Sequence, residues 1–326
     1  MKKKSKRIVN KDIPSYPITL YGLNDGRLAI GGETELVIYN MKSYKVDIKI
    51  KSKKVKFILQ LKDNKLFYYT YEHDSEGIWS DYYHYNNLIE LSEKVYKDKN
   101  SVLPVPSKYN ILRQFSDTIL FGGINYCIKQ TKYEKSNSYG SKRIEKIVKD
   151  NDFEKYANIE KYEVESSLEI DFIDFTQLMN DTIAVLQKDN IFFYDINKLS
   201  IKKKIKINDG KIISNFNDKF LLYGTQNNLI IFDYINYKYV KSLPFIYPIR
   251  RIYTKENNVF IGQSTDLNIK RNKADNMIVE YEIDDNGNYI QKNECRNCHN
   301  NELIDITQVN DGRIISCSCL YINIWT

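Results

Sequence analysis

The chain contains the same short pattern near both of its ends, and this repetition limits the folds that it can adopt. Residues 24–40 read NDGRLAIGGETELVIYN and residues 310–326 read NDGRIISCSCLYINIWT, and the two align without a gap. Each copy is a polar turn, a short apolar strand, a second turn and another apolar strand that ends in an aromatic residue. We interpret the two copies as one structural unit that occurs at two places in the chain.

The aromatic strand ending also recurs between these two copies. Tyr39 and Trp325 are six steps apart, which gives a mean period of about 48 residues. A period of roughly 40 to 50 residues with several strands in each unit is typical of a β-propeller. The seven endings are Tyr39-Asn40, Tyr85-Asn86, Tyr133-Glu134, Tyr194-Asp195, Phe232-Asp233, Tyr281-Glu282 and Trp325-Thr326.

Each unit is predicted to contain four strands. One apolar run precedes the repeated pattern, and a further run follows most of the aromatic endings, with polar turns between them. No segment has a convincing helical periodicity. The sequence therefore predicts an all-β, seven-bladed β-propeller of four-stranded antiparallel blades, forming a single domain over residues 1–326. Aromatic residues such as Tyr39, Tyr194 and Phe232 are predicted to fill the seams between blades, and the residue after each to cap the next turn.

The last unit, HNNELIDITQVNDGRIISCSCLYINIWT, resembles a WD40 repeat, and the other units resemble degenerate copies of it. The resemblance implies a hydrogen-bonded set inside the blade, which in WD40 repeats consists of a His, a Ser, a Trp and an Asp. His299, Ser316 and Trp325 match three of these positions, whereas Cys319 stands in place of the Asp. With an incomplete set, we expect stability to depend on aromatic packing.

The last unit contains three strands and no fourth. A three-stranded blade would leave a sheet edge open to pairing with other chains. Residues 5–10 (SKRIVN) precede the first unit and belong to no other strand. We predict that they form the outer strand of blade seven and so close the ring.

Three segments interrupt the period. Residues 71–79 and 263–275 lie between second and third strands, and residues 135–157 between a third and a fourth. In WD40-type propellers the first kind of loop is on the same face as the links between blades. Long loops on a rigid scaffold often carry binding residues. The candidate partner contacts, chosen by loop position, are Trp79, Tyr109, Tyr247 and Arg271; in the alternative interpretation Trp79 folds back and caps blade two.

The formal net charge of +7 raises the question of a polyanionic ligand. The basic runs at 45–56 and 202–207 fall mainly on predicted fourth strands, where lysine discourages edge-to-edge pairing. The alternative is a surface for nucleic acid or acidic lipid. Arg250 and Arg251 are similar to the paired arginines of phosphoinositide-binding propellers, but Ile252 follows them where that family has Gly, and a strand residue pointing out of the blade explains them better.

The sequence predicts a cytoplasmic protein. The basic amino terminus is followed by no apolar stretch, and no later run approaches the roughly 18 apolar residues of a membrane span. Residues 2–7 (KKKSKR) resemble a nuclear localisation signal, so the nucleus is the alternative compartment. Five cysteines, an odd number, argue against a disulfide framework and for reduced thiols.

Four of the cysteines have a spacing that approximates a structural zinc site. They form C-x2-C and C-x-C pairs, and the link into blade seven and the turn between its second and third strands lie on one face. We expect free thiols and no cofactor, and a structural zinc site is the alternative. CRNCH also matches a haem-attachment pattern, which the lack of an export signal excludes. The candidate ligands are Cys295, Cys298, Cys317 and Cys319.

Motifs for catalysis are lacking. The chain has no GxSxG, P-loop, HExxH or GxGxxG pattern, and only three His. The sequence therefore predicts a non-catalytic scaffold that binds a peptide or a domain of a partner protein, as a monomer within a larger complex. Two alternatives remain: a polyanion-binding protein, and an enzyme with its site in the mouth of the channel.

Overall fold

The computed structural model describes most of the chain. The backbone is described for residues 5–8, 13–60, 65–74, 81–90, 98–99, 109–115, 118–125, 141–150, 161–169, 172–179, 181–195, 197–198, 200–265, 275–299, 301–318 and 320–325. Side chains are described in the same ranges, except for residues 5–7 and for most of the strands between 65 and 169, where only 66, 68 and 70 are described.

The described strands form seven four-stranded antiparallel sheets. After β1 (Ser5–Arg7), blade one contains β2 (Thr19–Gly22), β3 (Leu28–Gly31), β4 (Glu35–Asn40) and β5 (Lys45–Lys51). Blade two contains β6 (Lys54–Gln60), β7 (Lys65–Asp74), β8 (Asp81–Glu90) and β9 (Asp98–Lys99). Blade three contains β10 (Tyr109–Phe115), β11 (Thr118–Asn125), β12 (Ser141–Asp150) and β13 (Lys161–Glu169).

The remaining blades follow the same order. Blade four contains β14 (Asp174–Leu178), β15 (Thr182–Leu186), β16 (Asn190–Asp195) and β17 (Ser200–Lys206). Blade five contains β18 (Ile212–Asn215), β19 (Phe220–Gly224), β20 (Asn228–Asp233) and β21 (Lys238–Pro244). Blade six contains β22 (Ile249–Lys255), β23 (Asn258–Ser264), β24 (Asn276–Ile283) and β25 (Tyr289–Arg296). Blade seven contains β26 (Leu303–Gln308), β27 (Ile314–Ser318) and β28 (Ile322–Trp325), with β1 as its fourth strand.

The first strands of the seven blades surround a central channel. The strands β2, β6, β10, β14, β18, β22 and β26 contact one another in this order, and β26 in turn contacts β2. Gly22 makes the last approach possible, because a Cβ atom at this position would collide with the main-chain oxygen of Gln308. The predicted seven-bladed β-propeller is confirmed.

The amino-terminal strand closes the ring as predicted. Ser5 of β1 pairs with Trp325 of β28, and the Ile8 N–H donates to the Ile322 carbonyl at 3.0 Å. Ile8 is 3% exposed and packs in the core between blades seven and one. The strand is shorter than the predicted 5–10, since β1 ends at Arg7, and residues 9 and 10 lie outside the described part.

Strand burial decreases from the middle of each blade to its outer edge. The strands β15, β19 and β27 are buried along their whole length, whereas β17 (SIKKKIK) is exposed at every residue but one. The predicted rim position of the basic run 202–207 is thereby confirmed for β17. The run 45–56 divides: its first part forms the outer strand β5, and Lys54 and Lys56 lie on the inner strand β6.

The aromatic strand endings lie in the seams between blades. Phe232 packs with Phe193 of the preceding blade, their ring centroids 6.2 Å apart, and Tyr39 packs with Ile324 of blade seven. Tyr194 is 6% exposed and packs with Phe175 and Val185. The hydrophobic cores between blades are therefore built around these rings.

The residue after the aromatic ending caps the following turn, as predicted. Asn40 Oδ1 accepts the N–H groups of Lys42 and Ser43, both at 3.0 Å. Asp195 and Asp233 accept the corresponding N–H groups in blades four and five. In each case one side-chain oxygen satisfies two main-chain donors of the turn, which explains the recurring Asn or Asp.

Two of the seven predicted strand endings are wrong. In blade two, β8 runs through Tyr85 to Glu90, so Tyr85 is in the middle of the strand, opposite Thr70. In blade three, the third strand is β12, which occupies part of the predicted insert 135–157. A bulge before Ile147 matches the bulge before Tyr39, so Ile147 holds the position that we had assigned to Tyr133.

The other predicted inserts are shorter than expected. The segment 71–79 continues the hairpin of β7 and β8 as far as the pair Asp74–Asp81, and residues 75–80 lie outside the described part. The segment 263–275 begins inside β23, and the Thr265 N–H donates to the Asp275 carbonyl at 2.9 Å. Among the described residues, no helix has the length and apolar character of a membrane span.

Candidate functional site

The central channel is a large concave feature of the described structure. It has a volume of about 1220 Å³ and is lined by the first strands of blades one, two, four, five, six and seven. Neighbouring first strands run parallel, since Asp174 of β14 bonds to Ile213 of β18 and Thr176 bonds to Asn215 two residues further on. All first strands therefore begin at one mouth of the channel, and we call the side of that mouth the link face, because the links between blades arrive there.

Four basic side chains line the channel near the link face. Lys56 and Arg250 occupy equivalent positions, each the extra residue of a β-bulge in its first strand. Bulges of this kind redirect a side chain and are frequent next to functional sites. Lys211 directly precedes β18, and Arg251 follows Arg250; the side chains of both are 47% exposed. This mouth of the channel therefore has a cationic lining.

The two carboxylates at the same level are committed to the protein itself. Asp174 Oδ2 accepts the Ile213 N–H at 3.0 Å, and its Oδ1 accepts the Phe175 N–H at 2.9 Å. Asp305 Oδ2 accepts the Leu20 N–H at 2.9 Å, and Arg251 Nε is 3.5 Å from Asp305 Oδ1. Burial raises the pKa of Asp305, and Arg251 and the N–H donors offset this only in part. Asp209 also pairs with Lys211 at 2.7 Å, so the acids offset part of the positive charge at this mouth.

These carboxylates belong to a joint between blades that the sequence analysis missed. Asp and Thr two residues apart on one first strand bond to two N–H groups of the next: Asp174 and Thr176 join blades four and five, and Asp305 and Thr307 join blades seven and one. The repeated pattern I-D-x-T-Q at 173–177 and 304–308 was visible in the sequence. We call each pair an Asp-Thr clasp.

Loss of a clasp carboxylate should destabilise the protein. Asp174→Ala would leave the buried N–H groups of Ile213 and Phe175 without that acceptor, and we expect a loss of about 2–3 kcal/mol in the free energy of unfolding. Urea denaturation measures this. The control Asp285→Ala removes an exposed acid from the turn between β24 and β25 and should cost less than about 0.5 kcal/mol. If the two variants lost equal free energy of unfolding, Asp174 would contribute no more to stability than an exposed acid.

Large apolar side chains are exposed around the cationic mouth. Ile246, in the link between blades five and six, is 63% exposed, and Ile173, just before β14, is 40% exposed. Tyr16 and Leu320 are also exposed and belong to a link and a turn on the same face. The opposite mouth is lined by neutral polar side chains such as Asn24 and by Lys255 at the end of β22, and Asn310 donates there to the Asn24 carbonyl. The two faces of the ring are thus chemically different.

Of the four candidate partner contacts, the structure describes the side chain of one. Tyr247 lies on the link face between β21 and β22, is half-buried against the core of blades five and six, and donates its N–H to Gln263 Oε1 at 3.3 Å. Tyr109 is the first residue of β10, and its side chain is not described. Trp79 and Arg271 lie outside the described residues.

Three residues of the WD40-like set meet inside blade seven. Ser316 Oγ accepts the indole N–H of Trp325 at 2.8 Å and is 2.8 Å from His299 Nε2. His299 and Trp325 are almost fully buried, and Ser316 is completely buried. Cys319, which was predicted at the fourth position, lies outside the described residues. These bonds join the link that enters blade seven to its second and third strands.

The three candidate zinc ligands that the structure describes do not converge, and the fourth, Cys319, lies outside the described residues. Cys295 and Cys298 adjoin the core between blades six and seven, whereas Cys317 packs in the core between blades seven and one. Ser316 and Cys317 are consecutive strand residues, so their side chains point to opposite faces of the blade. Among the residues described, no three His, Cys, Asp or Glu side chains are grouped so that they could hold a metal ion.

Comparisons with known proteins identify the fold. No protein-family model matches the chain, and no curated protein matches it. A chain in the solved structure described as "Crystal Structure of Mitotic Checkpoint Complex" is similar over 99% of this chain and 90% of that chain, with a TM-score of 0.64 and 9% sequence identity. Altogether 654 solved chains match, and a fold that is shared so widely does not specify a function.

Proposed function

We propose that this protein is a non-catalytic interaction scaffold that binds an acidic peptide segment of a partner protein at the link-face mouth of its channel. The observation that carries the proposal is the group of four basic side chains at this mouth. Lys56, Lys211, Arg250 and Arg251 line it, while Asp174 and Asp305 are bonded within the wall. Complementary charge of this kind speeds association and selects among partners.

The exposed apolar side chains favour a peptide over a simple polyanion. Ile246 and Ile173 flank the basic residues on the same face, so a ligand there meets both charge and apolar surface. An acidic segment with one or two apolar residues would match both features. Apolar anchors surrounded by polar contacts are a common arrangement in protein interfaces.

The alternatives of the sequence analysis have less support. The rim lysines that suggested nucleic acid or acidic lipid are interspersed with acids, as in Lys49–Glu35 at 2.8 Å and Lys202–Asp195 at 3.4 Å. A channel-mouth enzyme would need a general acid, a general base or a nucleophile, and the carboxylates that the structure describes there hold main-chain N–H groups. The similar solved chain is part of a multiprotein complex, which agrees with a scaffold but names no partner for this protein.

Selection from a displayed peptide library against the full-length chain tests the proposal. We expect enrichment of acidic peptides that contain apolar residues. The double variant Lys56→Glu/Lys211→Glu should weaken a selected peptide by at least about tenfold, which corresponds to about 1.4 kcal/mol. The matched control Lys51→Glu/Lys206→Glu makes the same charge change on the rim and should leave the dissociation constant nearly unchanged.

Two outcomes would contradict the proposal. Selection of peptides without acidic residues would remove its charge argument. Equal weakening by the mouth variant and the rim variant would show that the protein responds to its total charge, as a polyanion-binding protein does. In that case a single-stranded oligonucleotide or vesicles of acidic lipid should bind with a steep dependence on salt concentration.

A further inference from the structure

Cys295 and Cys298 form a close pair at the seam between blades six and seven. Cys295 is near the end of β25, and Cys298 lies two residues beyond that strand. The turn between them passes through Asn297, whose φ of 51° is in the left-handed region, and the Asn297 N–H donates to the Asn276 carbonyl at 2.7 Å. Cys298 belongs to the core cluster between blades six and seven, and Cys295 packs against the same cluster. The turn therefore brings both side chains to the same side of the blade.

The two thiols differ in their access to solvent. Cys298 is 8% exposed, and its Sγ lies 3.2 Å from Asn276 Oδ1. Cys295 is half-buried and lines a small surface pocket with the apolar side chains of Ile278, Ile314 and Trp325. A reagent in solution can thus reach Cys295 directly, whereas Cys298 is covered. An accessible thiol beside a buried one is the arrangement expected of an attacking and a resolving cysteine.

We propose that Cys295 and Cys298 are a redox-active pair that forms a reversible disulfide by exchange with a low-molecular-weight disulfide such as oxidised glutathione. The Cys295 thiolate attacks one sulfur of that disulfide, which forms a mixed disulfide and releases one thiolate of the reagent. Cys298 then loses its proton and attacks Cys295 Sγ, which forms the Cys295–Cys298 bond and releases the second thiol. The protein pair is oxidised by two electrons, and the reagent is reduced to two thiols.

The disulfide would alter the link that enters blade seven. Asn276 holds this link through four contacts: its Oδ1 receives the His299 N–H at 3.0 Å and lies near Cys298 Sγ, and its Nδ2 donates to the carbonyls of His299 and Asn301. Oxidation removes the thiol hydrogen of Cys298 from this set. This inference does not depend on the proposed function, because the two cysteines lie at the seam between blades six and seven and the proposed peptide site lies at the channel mouth.

Mass spectrometry of the full-length protein in glutathione redox buffers tests the proposal. After acid quenching and alkylation, we expect a peptide containing residues 295–298 with two fewer hydrogens and no alkyl group, reversed by excess reduced glutathione. In the Cys298→Ser variant the mixed disulfide at Cys295 should accumulate, because the resolving thiol is missing. In Cys295→Ser, Cys298 should react at least about tenfold more slowly, because it is buried.

Trp325 supplies a second readout, since it packs in the same core cluster as Cys298 and Cys295. In a Trp79→Phe background, where Trp325 is the sole Trp of the chain, disulfide formation should change the fluorescence of the native protein, and the Cys295→Ser variant should not show the change. Two results would overturn the proposal: both thiols remaining alkylatable at a high ratio of oxidised glutathione, or equal reaction of the two single-cysteine variants. Stoichiometric zinc that protects both thiols would also overturn it.

Discussion

Removal of residues 1–8 should lower the free energy of unfolding by about 3–5 kcal/mol, because it removes the strand that closes the ring. Blade seven would lose its fourth strand and the buried side chain of Ile8, and the edge of β28 would be open. Each of these changes is unfavourable, and the open edge also favours association between chains. Thermal and urea denaturation measure the loss, and size-exclusion chromatography detects the association.

Two controls separate closure from a general effect of truncation. Removal of residues 1–4 alone takes away three lysines but keeps β1, and should leave the stability within about 0.5 kcal/mol of the full chain. A synthetic peptide of residues 1–13 added to the truncated protein should restore part of the stability, and the same peptide with Ile8→Asp should not. If the chain without residues 1–8 melts like the full chain, the closure that we describe contributes no stability.

The second large effect is expected for Trp325→Ala. The Trp325 side chain is 5% exposed and packs with Phe260 and Ile278 of blade six, so its removal leaves a cavity in the seam at a cost of about 3–5 kcal/mol. The hydrogen bond from its indole to Ser316 is a smaller part of this cost. Urea denaturation of the full-length chain gives the measurement.

Trp325→Phe separates the two contributions. Phe keeps most of the ring packing but donates no hydrogen bond, so the bond to Ser316 Oγ is lost and we expect a cost of about 1–2 kcal/mol. Ser316→Ala removes the same acceptor from the other side. If Trp325→Phe were as destabilising as Trp325→Ala, the hydrogen-bonded set, and not the aromatic packing that we expected from the sequence, would dominate the stability of this blade.

The repeat was easiest to recognise where one aromatic residue stood out from its strand. Tyr39, Tyr194, Phe232, Tyr281 and Trp325 each lie within two residues of the end of a third strand. Blade two contains the run DYYHYNN, in which several aromatic residues follow one another within a ten-residue strand. Side chains alternate between the two faces all along a strand, so this alternation does not show at which residue the strand ends. The end of β8 is set by its pairing with β7, which is a property of the hairpin as a whole.

The candidate site was harder to predict than the fold. The pair Arg250-Arg251 was interpreted as strand residues that point out of the blade, whereas both line the channel together with Lys56. The basic run 45–56 crosses from an outer strand to an inner one through a link of two residues, so a single stretch of lysines serves two opposite surfaces. Composition does not distinguish these surfaces.

The sequence by itself determined the number of blades, the four strands of most of them and the use of the first residues to complete the last blade. These follow from local patterns, because alternation, turn residues and an unmatched strand can each be recognised without knowing their neighbours. Only the tertiary structure decided which lysines face the channel, which side of blade seven holds Cys317, and that Asp174 and Asp305 join blades. Each of these depends on contacts between residues of different blades, and such contacts exist only when the ring is closed.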